Sequence, residues 1–420
     1  MNIIHRMNNL HKPLPRHLQE TLAQALRRFP VVVLTGARQT GKSTLIQRLL
    51  EPHREYYTLD DFEILERAQK EPGALVRSDK PMTFDEVQRS PELLMAVKRE
   101  VDRNRKPGHF LLSGSANLSL LHRVTETLAG RAVYLALQPF TLSEKAGRGG
   151  VGRWDVLLDN PAKAAKEEKP SGRVDVDDLL IGGFPTVALE KDPTTRRAWL
   201  EGYIQTYLER DLRALSAVSD LADFRRLMRL AALRSGSVVN QTELARDAGL
   251  KQPTVHRYLN LLETSYLIQR IPAYAVNRTK RLIKTPKLYY GDTGLAAVIA
   301  GIHTRQELDR SNLTGALWET LVVNELMAWK ETADPKPEIL YWRTANGEEV
   351  DFVVEQNGKV FPLEVKAAEE ARLADVKHLQ LFLKEYGKAA PHGLLLYNGT
   401  KVEEIAERIW TVPFSVALGL

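Results

Sequence analysis

The stretch Gly36-Ala-Arg-Gln-Thr-Gly41-Lys42-Ser43 constrains this chain more than any other, because it fits G-x-x-x-x-G-K-[ST] at every fixed position. It follows Pro30-Val-Val-Val-Leu-Thr35, an unbroken β-branched run like a parallel strand buried on both faces. Glycines let a loop wrap a phosphate where a Cβ would collide. The loop N–H groups and the positive end of the following helix then face the anion. The residues expected around a nucleotide are therefore Gly36, Ala37, Arg38, Gln39, Thr40, Gly41, Lys42, Ser43 and Thr44. Lys42 reaches the β- and γ-phosphates in this reading, and Ser43 ligates Mg²⁺.

A second element agrees with the first. Pro81-Met-Thr-Phe-Asp85-Glu86 reads as an apolar strand ending in two carboxylates. Asp85 is expected to hold the Mg²⁺ shell and Glu86 to polarise the attacking water, so the cofactors implied are ATP and Mg²⁺. The run Phe110-Leu-Leu-Ser113-Gly-Ser115-Ala-Asn117 ends in small polar residues. Ser115 and its neighbours either sense the γ-phosphate or cap the next helix. Further apolar runs at 56–59 and 132–137, with helical stretches between them, point to a three-layer α/β domain.

Composition narrows the rest. The 420 residues are 43% hydrophobic and 27% charged, ordinary globular usage, and suffice for about three domains. The absence of cysteine excludes a disulfide scaffold, a thiolate zinc site and a cysteine nucleophile. No apolar run approaches the roughly 18 residues of a membrane span, and the first 30 residues lack a secretory apolar block. A cytoplasmic protein with no membrane partner is expected.

Residues 147–178 are rich in Gly, Pro and mixed charge and read as a loop or linker. Residues 195–235 read as helical. Asn240–Leu250 and Lys251–Leu262 read as two helices joined at Gly249, with Val255, Tyr258, Leu259 and Leu262 forming one apolar face. Lys251, Gln252, Thr254, His256, Arg257 and Asn260 stay outside. The stretch 270–287 follows with Arg270, Arg278, Lys280, Arg281, Lys284, Lys287 and no acid. The net charge of the whole chain is +6, so this cluster equals the excess. Helix, glycine turn, polar-faced helix and basic wing form a winged helix-turn-helix. Lys251, Gln252, Thr254, Arg257, Arg278, Lys280, Arg281 and Lys284 are its candidate DNA contacts. A spacer or protein-contact module is the competing use.

Towards the end, Glu348-Glu-Val-Asp351-Phe-Val-Val-Glu and Val360-Phe-Pro-Leu-Glu364-Val-Lys366 read as a β-hairpin, with twelve residues between Asp351 and Glu364. Glu364 and Lys366 point to one face of their strand. The pattern resembles the PD-(D/E)xK nuclease superfamily. That resemblance implies a restriction-endonuclease-like α/β fold, with Mg²⁺ on Asp351, Glu364 and a helical glutamate, and with Lys366 beside the nucleophile. Glu319 is the first choice for the glutamate and Glu325 the second, with Gln380 as an accessory. A solvated ion pair on a hairpin is the alternative.

Leu-Ala-Gly130-Arg131 before the strand 132–137 resembles AAA+ ATPases, in which an arginine here reaches a neighbouring subunit's γ-phosphate. That implies an arginine finger at Arg131. A cation at a helix C-terminus is the other reading. Across nearly the whole chain, GARQTGKSTL, YYTLDD, TFDEVQRSP, LLSGSANL, LAGRA, QPFTLSE, GGFP, YLERDL, YYGDTGLAA, GALWETLVVNEL, EEVDFVVE and LEVKA resemble a prokaryotic family. Its members carry an AAA-type ATPase domain and a C-terminal domain of unknown function. The expected layout is an AAA+-type P-loop domain over 1–178, a helical lid over 179–235, the winged helix over 236–300 and the nuclease-like domain over 301–420. Asp60, Asp61 and Asp292 lie in the recurring segments and are read as helix caps. A homo-oligomer is expected, a hexamer among its forms. The leading expectation is a Mg²⁺-dependent ATPase that remodels or moves along DNA. An ATP-gated nuclease and a nucleotide switch acting on a protein partner are the alternatives.

Overall fold

The structure is a computed structural model and describes residues 13–49, 54–115, 128–167, 172–214 and 220–420. Asn117 lies outside them. The chain forms two compact units, 1–140 with 144–150, and 141–143 with 151–420.

In the first unit five strands make one parallel sheet: β1 (Val31–Thr35), β2 (Glu55–Thr58), β3 (Met82–Asp85), β4 (Phe110–Ser113) and β5 (Ala132–Ala136), in the order β2-β3-β4-β1-β5. Alternation along β1 explains its uninterrupted apolar run. Val31 and Val33 pack with Phe84, Phe110, Leu112 and the helix Pro91–Arg103, while Val32 and Leu34 pack with Leu111, Leu135 and α1 (Leu18–Arg28). Both faces are covered, so this is a three-layer α/β unit, and each buried branched side chain contributes roughly 1.5–3 kcal/mol. Because β4 lies between β1 and β3, the residues just past β4 emerge beside the end of β3.

The second unit carries two sheets. Strands β6 (Ser237–Val238), β7 (Ile268–Ile271) and β8 (Lys287–Tyr290) form an antiparallel sheet in the order β6-β8-β7. Around it lie Leu221–Leu233, α2 (Gln241–Ala248) and α3 (Gln252–Thr264). Asn240 caps α2 through the N–H groups of Thr242 and Glu243, and Gly249 ends it in a left-handed conformation, φ 66°. The loop between β7 and β8 contains the helical turn Arg278–Ile283.

The other sheet is mixed: β9 (Glu338–Arg343), β10 (Glu349–Gln356), β11 (Lys359–Lys366), β12 (Gly393–Tyr397), β13 (Glu403–Ala406) and β14 (Ile409–Pro413), in the order β13-β14-β12-β11-β10-β9. The hairpin expected over 348–366 is β10 against β11, paired Phe352↔Leu363. Helix α4 (Thr314–Lys330) packs over β11, and Trp318 stacks on Phe414 at 4.4 Å. Leu379, Phe382 and Leu383 of the helix Lys377–Tyr386 join the apolar cluster of Val350, Val353 and Leu395.

The segment 147–178 differs from the linker expected. It holds the helices Trp154–Asp159, Pro161–Glu167 and Val176–Ile181, and Trp154, Leu157 and Leu158 are buried. Pro161 opens one helix at its first position, where a missing N–H costs nothing. The Val174 N–H and carbonyl pair with the side-chain amide of Asn398, both at 3.0 Å. From 151 onwards the segment belongs to the body of the second unit.

Candidate functional site

The glycine loop leaves the C-terminal end of β1. Gly36 adopts φ 142° and Gly41 φ 92°, and a Cβ on Gly36 would collide with the Leu137 carbonyl. Lys42 follows Gly41 directly, and its Nζ donates to the Gly36 and Ala37 carbonyls at 3.0 and 2.9 Å. Burial lowers the Lys42 pKa to about 8, although Glu86 and Asp85 oppose that shift. A phosphate in the loop would add to the negative charge that Glu86 and Asp85 already set near this ammonium.

Asp85 and Glu86 sit where β3 ends, as expected. Asp85 is buried, and its Oδ2 accepts the Ser43 hydroxyl at 2.7 Å and the Tyr56 hydroxyl at 2.7 Å. Burial and the Asp85 charge push the Tyr56 pKa up, so Tyr56 stays a donor. A hydroxyl and a carboxylate in contact are the oxygen donors a hard Mg²⁺ ion takes, so Ser43 and Asp85 fit that ion. Glu86 holds a left-handed backbone, φ 55°, a conformation costing a non-glycine residue about 1–3 kcal/mol. Its carboxylate accepts the Gln88 amide and the Ser115 hydroxyl, the latter at 3.1 Å. Gln88 also donates to Ser115 at 3.1 Å.

Lys42, Ser43, Asp85, Glu86 and Ser115 thus lie at the carboxyl end of the sheet, where its three central strands end. Tyr56 and Gln88 join them without a motif to announce them, though Gln88 stands two residues after the acidic pair. Behind the loop, Arg16 donates to the Thr40 carbonyl at 2.7 Å and to Glu144 at 2.9 Å. His17 meets Glu144 through Nδ1 at 2.6 Å. Burial raises the Glu144 pKa, but Arg16 and His17 overcome it and hold the carboxyl at about 2. Arg131 grips Asp102 with both ends of its guanidinium, at 2.6 and 3.0 Å.

Asp61 caps its helix through the N–H groups of Glu63 and Ile64, and Asp60 pairs with Arg89 at 2.7 Å. Asp292 caps the helix Thr293–Ala300 through Leu295 N–H and also accepts the Gly183 N–H at 2.6 Å. Asp61 and Asp292 are thus helix caps, whereas Asp60 differs from that reading and serves an ion pair.

Among the candidate DNA contacts, Lys251, Gln252, Arg257, Arg278, Lys280 and Lys284 are exposed and Thr254 is half-buried. Arg281 departs from the expectation. It is buried and paired with Glu338 at 2.8 Å and with Glu355, because the turn Arg278–Ile283 lies against strands β9 and β10. Two further members of the basic cluster are also spent inside the unit: Arg270 pairs with Glu263 and Asn260, and Lys287 is buried.

The C-terminal residues converge. Asp351 on β10 accepts the Val365 N–H at 2.8 Å, and Glu364 on β11 meets Lys366 at 2.8 Å. Burial pushes Glu364 and Glu319 above the ordinary carboxylate range, with Asp351 adding to both shifts. Glu319 of α4 accepts the Tyr289 hydroxyl at 2.7 Å. Glu325, the second choice, turns elsewhere and accepts the Leu142 N–H at 2.7 Å, and Gln380 is exposed. A divalent metal does not fit this arrangement. Among the described residues no three His, Asp or Glu side chains are placed to hold one, and the Lys287 ammonium lies among the carboxylates.

A family model described as an AAA domain matches residues 28–146, one described as a domain of unknown function (DUF8612) matches 176–306, and another, DUF4143, matches 314–416. Uncharacterized proteins of Mycobacterium bovis and Mycobacterium tuberculosis are each 33% identical over 347 residues, covering 82% of this chain and 72% of theirs. A solved Walker-type ATPase of Pyrococcus abyssi is 16% identical with a TM-score of 0.46, over 69% of this chain and 99% of that one. A RuvB variant of Thermotoga maritima is 18% identical with a TM-score of 0.28, over 63% and 93%. Among the described residues no helix is long and apolar enough to cross a membrane. With the phosphate loop inside the AAA match and the mycobacterial identity running through most of both chains, this protein belongs to the family of those mycobacterial proteins, an AAA-type ATPase family.

Proposed function

We propose that this protein is a Mg²⁺-dependent ATPase that binds DNA and couples hydrolysis to remodelling of DNA or movement along it, as a homo-oligomer. The observation that carries the reading is the contact of Ser43 with Asp85 at 2.7 Å, with Lys42 and Glu86 at the same carboxyl end of the strands. Lys42 and the loop N–H groups hold the phosphates. Mg²⁺, when bound by Ser43 and Asp85, neutralises phosphate charge. Glu86 takes the proton of the water that attacks the γ-phosphorus, while the bond to the β,γ-bridging oxygen breaks and ADP leaves. Gln88 and Ser115 set where Glu86 points. Arg131, once released from Asp102, serves a neighbouring subunit's site, where an added positive charge stabilises the transition state.

The DNA reading is supported by the element order of residues 221–290. A helix, a short strand, two helices at a glycine turn and two further strands fit a winged helix. On it Lys251 is the N-cap of α3 and Arg257 lies on that helix, while Arg278, Lys280 and Lys284 lie in the connection to β8, all exposed. Leu282 and Ile283, 87% and 79% exposed, stand among the latter, an apolar tip of the kind that contacts bases or sugars between phosphate contacts. The mixed sheet of the C-terminal part, with its hairpin and covering helices, fits a restriction-endonuclease-like fold.

The test is ATP hydrolysis by the purified protein in Mg²⁺ buffer at low salt, alone and with single-stranded, duplex and branched DNA. Stimulation by one class, lost when Lys280 and Lys284 are changed to Glu, is expected. Hydrolysis that no DNA stimulates would remove the DNA reading and point the exposed residues at a protein partner.

A further inference from the structure

The C-terminal carboxylates already have a cation. Lys287 enters from β8, and its side chain is 1% exposed. Its Nζ lies 2.5 Å from Glu349 Oε1, 3.5 Å from Glu319 Oε2 and 3.8 Å from Asp351 Oδ1. Those oxygens come from two elements, α4 and β10. Tyr289, two residues on and so on the same face of β8, donates to the Glu319 oxygen at 2.7 Å. The Tyr341 ring of β9 closes another side, its centroid 5.8 Å from the ammonium.

Oxygens of Glu319, Glu349 and Asp351 are therefore spoken for, and among the described residues Glu364 Oε2 is the one oxygen of this cluster left buried without a hydrogen-bond partner. Mg²⁺ or Mn²⁺ binds carboxylate oxygens at about 2.0–2.2 Å and demands a near-complete shell. An ammonium within a few ångströms of Glu319 and Asp351 fills that volume and repels a second cation. The remaining oxygen of Asp351 is engaged by the Val365 N–H, and Glu364 faces Lys366. The backbone that carries Lys287 is fixed. Its strand is held between β6 and β7, and the chain just past β7 pairs with β9, Tyr274 N–H on the Tyr341 carbonyl and Tyr341 N–H on that of Pro272.

We propose that Lys287 is the resident cation of this centre: the chain fills with its own ammonium the position where a nuclease of this architecture holds a metal, and the C-terminal part does not cut nucleic acid by metal-assisted hydrolysis. The cluster instead locks the three-stranded sheet to α4 and the mixed sheet. The inference is independent of nucleotide hydrolysis in the first unit.

The experiment titrates Mn²⁺ into the nucleotide-free 420-residue chain and follows the free ion by electron paramagnetic resonance. Wild type, Asp351→Asn, Lys287→Met, Lys287→Arg and the Lys287→Met/Asp351→Asn double variant are compared. Wild type, Asp351→Asn and Lys287→Arg are expected to bind equal numbers of ions. Lys287→Met gains one more, which the double variant loses. An ion in wild type that disappears in Asp351→Asn overturns the proposal. So does a folded Lys287→Met, judged by circular dichroism, that gains none. If Lys287→Met does not fold, the comparison of wild type with Asp351→Asn still decides.

Discussion

At the scale of single residues, the nucleotide site divides holding from chemistry. Lys42→Ala removes the one ammonium in the loop and should abolish nucleotide binding, read with a fluorescent ATP analogue. Glu86→Gln should bind normally and hydrolyse about 10²–10⁴-fold more slowly, read by phosphate release. Normal turnover in both variants would contradict the assignment. Gln88 and Ser115 hold the Glu86 carboxylate. Because these bonds aim it, Gln88→Ala should lower turnover about fivefold, the equivalent of one hydrogen bond of about 1 kcal/mol. A rise would show that Gln88 restrains Glu86 rather than aims it. The phosphate loop was legible because its residues are neighbours in sequence. Gln88 and Tyr56 were not, because their contacts follow from the strand order, which puts β2 and β4 on either side of β3.

At the scale of elements, long-range pairs decide what local pattern could not. The hairpin β10–β11 joins two apolar runs across Asn357-Gly358, and Asp351 and Glu364 were found side by side. Lys287 was read as one more charge of a basic run. The apolar run Leu288, Tyr289 and Tyr290 beside it signals a strand, but only the assembled sheets show that the strand buries it. Arg281 was misjudged for the same reason, since its partners Glu338 and Glu355 come 57 and 74 residues later. The helices of 151–178 escaped because each is only six or seven residues long and bounded by Gly, Asn or Pro. Asp292 illustrates the energetic stake. Asp292→Ala removes a cap and strands the Gly183 N–H, and should cost about 2–4 kcal/mol in urea denaturation.

At the scale of the whole molecule, charge sets two measurable behaviours. The exposed cations of α3 and of the β7–β8 connection should give DNA binding a steep salt dependence, and each phosphate contact removed by substitution should lower the log–log slope by about 0.9. Acid should act on the first unit through Glu144. Its carboxyl titrates at about 2 when folded, against an ordinary value of 4.5. The stability it provides is complete above pH 4.5 and is lost as pH falls towards 2, about 3 kcal/mol in all. Glu144→Gln should be destabilised by about 3–5 kcal/mol at neutral pH, because Arg16 is left buried without its partner, and its stability should fall less steeply with acid. The same ion pair bears on how the nucleotide-binding part could be isolated. The matched AAA segment spans 28–146, yet Arg16 and His17 precede it. A fragment trimmed to that segment would take Arg16 and His17 away from the buried Glu144 carboxylate and leave the Thr40 carbonyl without the Arg16 donor. Expressed that way the piece should come out insoluble, whereas one beginning at residue 13 should be recoverable and bind ATP.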